Sequence, residues 1–166
     1  MTKAHGGASM TKSIPLTQGK FALVDDDMYD YLNQWKWNFN GRYVCRSVGK
    51  WNHRTKIRMH HEVLNAPAGM EIDHIDGDAL DNRRDKLRIC TPLQNKYNRR
   101  KPVTNSSGYK GVTMKHLSKK WTAEIKVNQK KIYLGSFSDI QDAARAYDDA
   151  AKKYFGEFAS LNFREQ

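Results

Sequence analysis

A chain of 166 residues, 39% of them hydrophobic, has material for one ordinary domain or two small ones, with modest cores. No apolar run approaches the length that crosses a bilayer and no secretory signal is recognisable, so no membrane association is expected, and a soluble, intracellular protein of the cytoplasm is. The formal net charge of +11, from 29 Lys and Arg against 18 Asp and Glu, suits a polyanionic partner; no broad amphipathic basic helix points to a membrane surface, so nucleic acid is the expected one.

Residues 1–9 are small and polar, and Met10-Thr-Lys-Ser reads as a second start or the end of an added segment. Gly19-Lys-Phe-Ala-Leu-Val24 predicts a short strand. Asp25-Asp-Asp, with apolar residues at 28, 31, 32 and 35, predicts a short amphipathic helix to Trp35. Alternation then predicts strands at 36–40, 42–48 and 55–59, with Asn40-Gly41 as a hairpin turn. Trp35, Trp37, Phe39, Tyr43 and Trp51 can stack on bases or pack a small core, and the burial that such a core needs favours packing. The two cysteines, Cys45 and Cys90, have no Cys-x-x-Cys spacing; buried thiols in a reducing compartment are expected, without a structural zinc or a disulfide framework.

His60-His-Glu-Val-Leu-Asn65 predicts a short helix ended by Pro67. Met70-Glu-Ile-Asp-His74 predicts a strand, Asp76-Gly-Asp a turn, and Lys86-Leu-Arg-Ile-Cys90 the returning strand. Thr91 as N-cap, Pro92 in the first turn and Gln94 closing a capping box start another helix, which carries Asn95. The acids at 76, 78 and 81 are read as shaping the turn. An EF-hand calcium loop fails, because no start at Asp73 or Asp76 places Gly at its sixth position and Glu at its twelfth.

A polar, basic stretch over 99–107 reads as a linker between domains at 10–98 and 108–163. Strands are predicted at Tyr109–Met114, Lys120–Val127 and Lys131–Ser136. In the second, Trp121, Ala123, Ile125 and Val127 share one face. Ser138 is expected to cap a helix whose apolar stripe runs through Ile140, Ala143, Ala144, Tyr147, Ala151 and Tyr154. Lys96–Lys131 contains 11 Lys or Arg and one acid, Glu124, whereas 139–166 has six acids and four bases. One face of the C-terminal module is therefore expected to meet phosphate.

Asp73-His74-Ile-Asp-Gly-Asp78, Asp81-Asn82-Arg83, Leu87-Arg88 and Asn95, with Met59-His60 ahead of them, resemble the HNH nucleases, most of all the phage and intron-associated homing endonucleases. Gly108-Tyr-Lys-Gly-Val112, Trp121-Thr-Ala-Glu-Ile125, Tyr133-Leu-Gly-Ser-Phe137, Ala143-Ala-Arg-Ala-Tyr-Asp148 and Leu161-Asn-Phe163 resemble the APETALA2/ERF-type DNA-binding domain. Together these resemblances imply an α+β protein. A small N-terminal α+β region would lead into a ββα-metal motif at about 70–98, followed by a three-stranded antiparallel sheet packed on one helix.

The first resemblance implies His74 as general base, a role suited to a group that titrates near neutrality. It implies Asp73 and Asn95 as ligands of one divalent ion, Mg²⁺ or alternatively Mn²⁺, whose preference for oxygen donors they meet. Asn82 would orient His74 through the turn. Arg83, Arg84 and Arg88 would hold phosphates or stand as solvated charges, and His60 marks an accessory position. Lys86 stands where the family has Asn, a changed turn contact that leaves the ligands in place. The second resemblance implies DNA contacts at Lys110, Thr113, Lys115, Glu124, Lys126, Lys131 and Tyr133, richer in lysine than in the bidentate arginine of plant factors. The expected function is a metal-dependent endonuclease on double-stranded DNA, acting as a monomer or homodimer. The alternative is a DNA-binding regulator with an inactive HNH motif.

Overall fold

The computed structural model describes residues 10–50, 52–99, 105–115, 117 and 119–163. The expectations for residues 1–9, for Trp51 and for most of the basic linker lie outside the described residues. The chain divides into two compact units, Met1–Pro92 and Leu93–Gln166, and among the described residues no helix is long and apolar enough to cross a membrane.

The first unit begins with an antiparallel hairpin, β1 (Thr11–Pro15) and β2 (Phe21–Asp25), paired with Ile14 opposite Ala22. Only β2 is legible in the sequence. Four of the five β1 residues are exposed and Ile14 alone is buried, too little alternation to read as a strand. Helix α1 (Asp26–Leu32) has Asp26 and Asp27 in its first turn, where carboxylates favour the helix dipole. It stops short of Trp35 because the chain turns to bury Trp37. The Trp37 indole N–H donates to Leu32 O at 2.7 Å, occupying a carbonyl that the helix end leaves over. Trp37 packs with Ile14, Ala22, Val24, Leu32, Val44 and Met59 in one core, so this aromatic packs rather than stacking on bases.

Strands β3 (Asn38–Phe39), β4 (Val44–Val48) and β5 (Thr55–Arg58) form an antiparallel sheet in that order. Its first turn is made by Asn40, whose Oδ1 accepts from the amides of Arg42 (3.0 Å) and Tyr43 (2.8 Å), and by Gly41 at φ 88°. Helix α2 (Met59–Val63) follows β5 directly and ends well ahead of Pro67. Strands β6 (Glu71–His74) and β7 (Leu87–Cys90) pair antiparallel, Asp73 opposite Arg88 and His74 opposite Leu87. A 3₁₀ turn at Arg84–Lys86 leads into β7, and α3 (Pro92–Tyr97) begins two residues after it.

In the second unit, β8 (Val112–Lys115), β9 (Lys120–Val127) and β10 (Lys130–Phe137) form an antiparallel sheet with β9 central. Helix α4 (Ile140–Phe155) packs on it through Ala143, Ala144, Tyr147 and Ala151. The expected cap Ser138 is replaced by Asp139. Its carboxylate accepts from the amides of Gln141 and Asp142, and a charged acceptor is well placed at a helix N-terminus. The stripe also ends differently: Tyr154 is 42% exposed and Phe155 is buried. Tyr97 of α3 stacks on the Phe155 ring at 3.9 Å, which draws that residue inward.

A bulge between Tyr133 and Gly135 shifts the parity of β10, so that Ile132, Leu134 and Phe137 all reach the core. Gly111 allows the closest approach of chain to helix. A Cβ there would lie 2.0 Å from the Tyr147 ring and 2.7 Å from Glu124 O, at a φ of +74°. The C-terminal segment is tied back by Asp148, which accepts the amides of Asn162 and Phe163, while Asn162 pairs with both backbone groups of Lys110.

Candidate active site

Asp73 and His74 end β6, and both are buried, at 7% and 6% exposure. Burial removes His74 from water and lowers its pKa from the usual imidazole value, opposed by the Asn82 hydrogen bond and by the charges of Asp73, Asp78 and Asp81. His74 Nε2 lies 3.4 Å from Asn82 Oδ1. The Asn82 amide nitrogen donates to Ala79 O (3.4 Å) and Leu80 O (3.3 Å), which orients its oxygen toward the imidazole. An amide oxygen only accepts, so Nε2 carries the hydrogen and Nδ1 is the basic nitrogen.

Asn82 is fully buried because the N-terminal hairpin holds its loop. Leu23 N donates to Leu80 O and Asn82 N to Leu23 O, both at 2.8 Å. Arg84 adds a second strap: its backbone N–H donates to Asp25 at 2.9 Å, and its guanidinium engages Asp27 at 2.7 and 2.8 Å. The Arg84 guanidinium holds the Asp27 carboxyl below its ordinary pKa. Within the turn, Asp78 Oδ1 accepts from Leu80 N at 3.0 Å and Lys86 pairs with Asp76 at 3.1 Å. Residues 14–58, silent about function in the sequence, thus supply the frame that keeps Asn82 against His74.

Two neighbours complete the site. Asp73 Oδ2 receives both Nε (3.2 Å) and Nη2 (2.9 Å) of Arg88, its partner across the hairpin, in a pair largely shielded from solvent. The His60 ring meets the His74 ring edge-on, with centroids 5.1 Å apart. His60 is 1% exposed and its Nδ1 has no hydrogen-bond partner. Burial drives its pKa down to about 3, with the positive fields of His74, His61 and Arg58 adding to the effect. His60 therefore stays neutral beside the candidate base. The nearby Cys90 thiol is pushed up to about 11 by burial and by Asp73 and Glu71, which makes it inert.

All three arginines read as phosphate contacts are engaged inside the protein: Arg88 with Asp73, Arg84 with Asp25 and Asp27, and Arg83 bidentately with Asp81 at 2.9 and 2.6 Å. The register that opposes Asp73 and Arg88 is not readable from the sequence, because the long turn between β6 and β7 leaves it open.

Asn95 lies half-buried on α3, in the unit that begins at Leu93. Among the described residues no three His, Cys, Asp or Glu side chains gather as a metal cage. By type, an aspartate carboxylate and an asparagine amide oxygen are hard oxygen donors of the kind that Mg²⁺ takes alongside water and phosphate oxygens.

In the second unit, Thr113, Lys115, Lys126, Lys131 and Tyr133 are exposed on the sheet, and Lys131 sits 3.6 Å from half-exposed Glu124. Lys110 is placed differently. Its ammonium donates to Tyr97 O at 2.9 Å and Arg99 O at 2.7 Å, at the C-terminal end of α3, and burial lowers its pKa to about 8.

Residues 53–97 match the HNH endonuclease family. Among known proteins, an uncharacterized HNH endonuclease of Acanthamoeba polyphaga mimivirus is 31% identical over 153 residues, which is 87% of this chain and 76% of that protein. Protein 3.8 of Escherichia phage T7 is 31% identical over 61% of this chain and 88% of its own length. APETALA2-like protein 2 of Oryza sativa is 43% identical over 72 residues, 43% of this chain but only 17% of that protein.

Proposed function

The chain belongs to the HNH endonuclease family and carries an APETALA2/ERF-type segment, and from that premise we propose that it is a metal-dependent DNA endonuclease of the homing type known from phages. In this reading β6, β7 and α3 form a ββα-metal motif over about residues 70–98. The enzyme hydrolyses one phosphodiester bond of double-stranded DNA near a site chosen by its C-terminal unit, as a monomer that nicks or a homodimer that cuts both strands. The observation that carries the reading is the buried Asp73-His74 pair with Asn82 Oδ1 against Nε2, which leaves Nδ1 as the proton acceptor.

His74 Nδ1 takes the proton of the attacking water, and Asn82 holds the ring while the imidazole gains charge. Arg88 fixes the carboxylate of Asp73 at the end of β6. Asp73 and Asn95 are the proposed ligands of a divalent ion, which when bound would stabilise charge on the scissile phosphate and the leaving oxygen. His60, neutral and packed on the base, adds no charge of its own beside it. Thr113, Lys115, Lys126, Lys131 and Tyr133 are the proposed reading face, with Glu124 at its middle, and the lysines act as point charges on phosphate. Lys110 serves this face indirectly, by holding the end of α3.

Supercoiled plasmid incubated with Mg²⁺ should be relaxed or linearised by the wild-type chain. His74→Ala should lose this activity by a factor of about 10²–10⁴, the usual worth of a general base, and still bind DNA. If both proteins bind and neither cuts, the chain is instead a DNA-binding regulator with an inactive HNH motif.

A further inference from the structure

One concentration of positive charge takes no part in the arrangement above. The alternation of β4 and β5 turns Tyr43, Cys45, Lys56 and Arg58 to the face opposite Val44, which faces the core. On that face lies a cleft of about 580 Å³ lined by Asn40, Arg42, Tyr43, Lys56, Arg58 and His61, among others. Two guanidiniums flank the Tyr43 ring, Arg42 at 5.0 Å and Arg58 at 4.8 Å from its centroid. Arg42, Lys56, Arg58 and His61 are all exposed.

The charges here differ in one respect from four other arginines of this unit. Arg46, Arg83, Arg84 and Arg88 each pair with a carboxylate, whereas no ion pair engages Arg42, Lys56 or Arg58 among the described residues. Three unneutralised cations around one cleft repel one another, a cost that an anionic ligand removes. The buried His60 ring stands between the cleft and the candidate base. Tyr43 lies 5.2 Å from the His60 ring, which in turn lies 5.1 Å from His74, and Arg58 runs directly into α2, the helix that carries His60.

We propose that this cleft is a second DNA-binding site, belonging to the N-terminal unit, that seats phosphates of the duplex backbone close to His74. It rests on the reading of the first unit as acting on DNA. The cations supply charge and bidentate donors for consecutive phosphates, and the Tyr43 ring holds the guanidiniums of Arg42 and Arg58 beside it. Arg42, Lys56 and Arg58 line the cleft beside Tyr43, Cys45 and Ile57, with no carboxylate among its lining residues. It meets the DNA backbone, so it strengthens binding on any sequence, and choice of site stays with the C-terminal unit.

The test measures binding of the full chain to a duplex oligonucleotide across a salt series, with chelator present so that no strand is cut. Replacing Arg42, Lys56 and Arg58 together by Gln should weaken binding and lower the slope of log affinity against log salt by about 0.9 for each phosphate that is no longer neutralised. Replacing Arg42 and Arg58 by Lys should restore most of the slope, and a melting temperature equal to wild type shows that the Gln variant is folded. If the Gln variant does not fold, the Arg42→Gln and Lys56→Gln single variants replace it, each expected to lower the slope by about 0.9, the worth of one phosphate. A folded variant with an unchanged slope overturns the proposal. So does tighter, equally variant-sensitive binding of single-stranded RNA of the same sequence, which would make the occupant RNA. Because cutting is never measured, these outcomes are separate from the plasmid test of the nuclease reading.

Discussion

His60 shows what one buried side chain can impose. Its folded pKa of about 3 lies below the ordinary imidazole value of 6.5, so the native state binds fewer protons than the unfolded chain between those limits. Its contribution is fully present above pH 6.5 and is lost progressively as the pH falls toward 3, at up to about 1.4 kcal/mol per pH unit. His60→Phe, which keeps a ring of similar breadth, should flatten this acid limb in denaturant melts at a series of pH values; an unchanged limb would show that His60 is not the group responsible. At the same scale, the resemblance to the HNH nucleases singled out Asp73, His74 and Asn82, which the fold buries together, with His74 against Asn82. The sequence did not reveal the Arg88 pairing or the unpartnered His60 nitrogen, because both depend on register and packing rather than local pattern.

At the scale of elements, the hairpin of β6 and β7, the start of α3 and the strands of the second unit were legible from alternation, turn residues and capping. The failures have specific causes. Strand β1 hides because it buries one residue, α1 is cut short by the demand of Trp37 for Leu32 O, and Phe155 replaces Tyr154 because Tyr97 reaches it. Gly111 offers the sharpest test of packing between β8 and α4. Gly111→Ala must push the Tyr147 ring aside and keep a left-handed backbone, a combined cost of about 2–4 kcal/mol. Thermal unfolding followed at the aromatic signals of the second unit should show the destabilisation; a change under about 0.5 kcal/mol, the scale of a neutral surface change, would mean this close approach is not limiting.

For the whole molecule, charge sets the behaviour. Lys126→Ala with Lys131→Ala should reduce the salt slope of duplex binding by roughly 0.9 for each of the two lysines, in the same titration that measures the cleft. Lys131, 77% exposed and only loosely associated with Glu124, is available for phosphate. An unchanged slope would move the DNA off this sheet face. If both the lysine face and the cleft contribute, their effects on slope should add, because they lie in different units that each neutralise their own phosphates. By itself the sequence pointed to a polyanionic partner through the net charge of +11 and to the α+β class through its periodicities, since composition and period are local properties of the chain. Only the tertiary structure decided which of those charges are spent inside the protein and which face outward. Arg83, Arg84 and Arg88, read as phosphate contacts, are held by carboxylates, two of which lie at the end of β2 and the start of α1. Arg42, Lys56 and Arg58, unremarkable in sequence, surround one cleft. The pairs of Arg84 with Asp25 and Asp27 and of Arg88 with Asp73 form only when folding brings residues far apart in the chain within a few ångströms, and no local pattern encodes that distance.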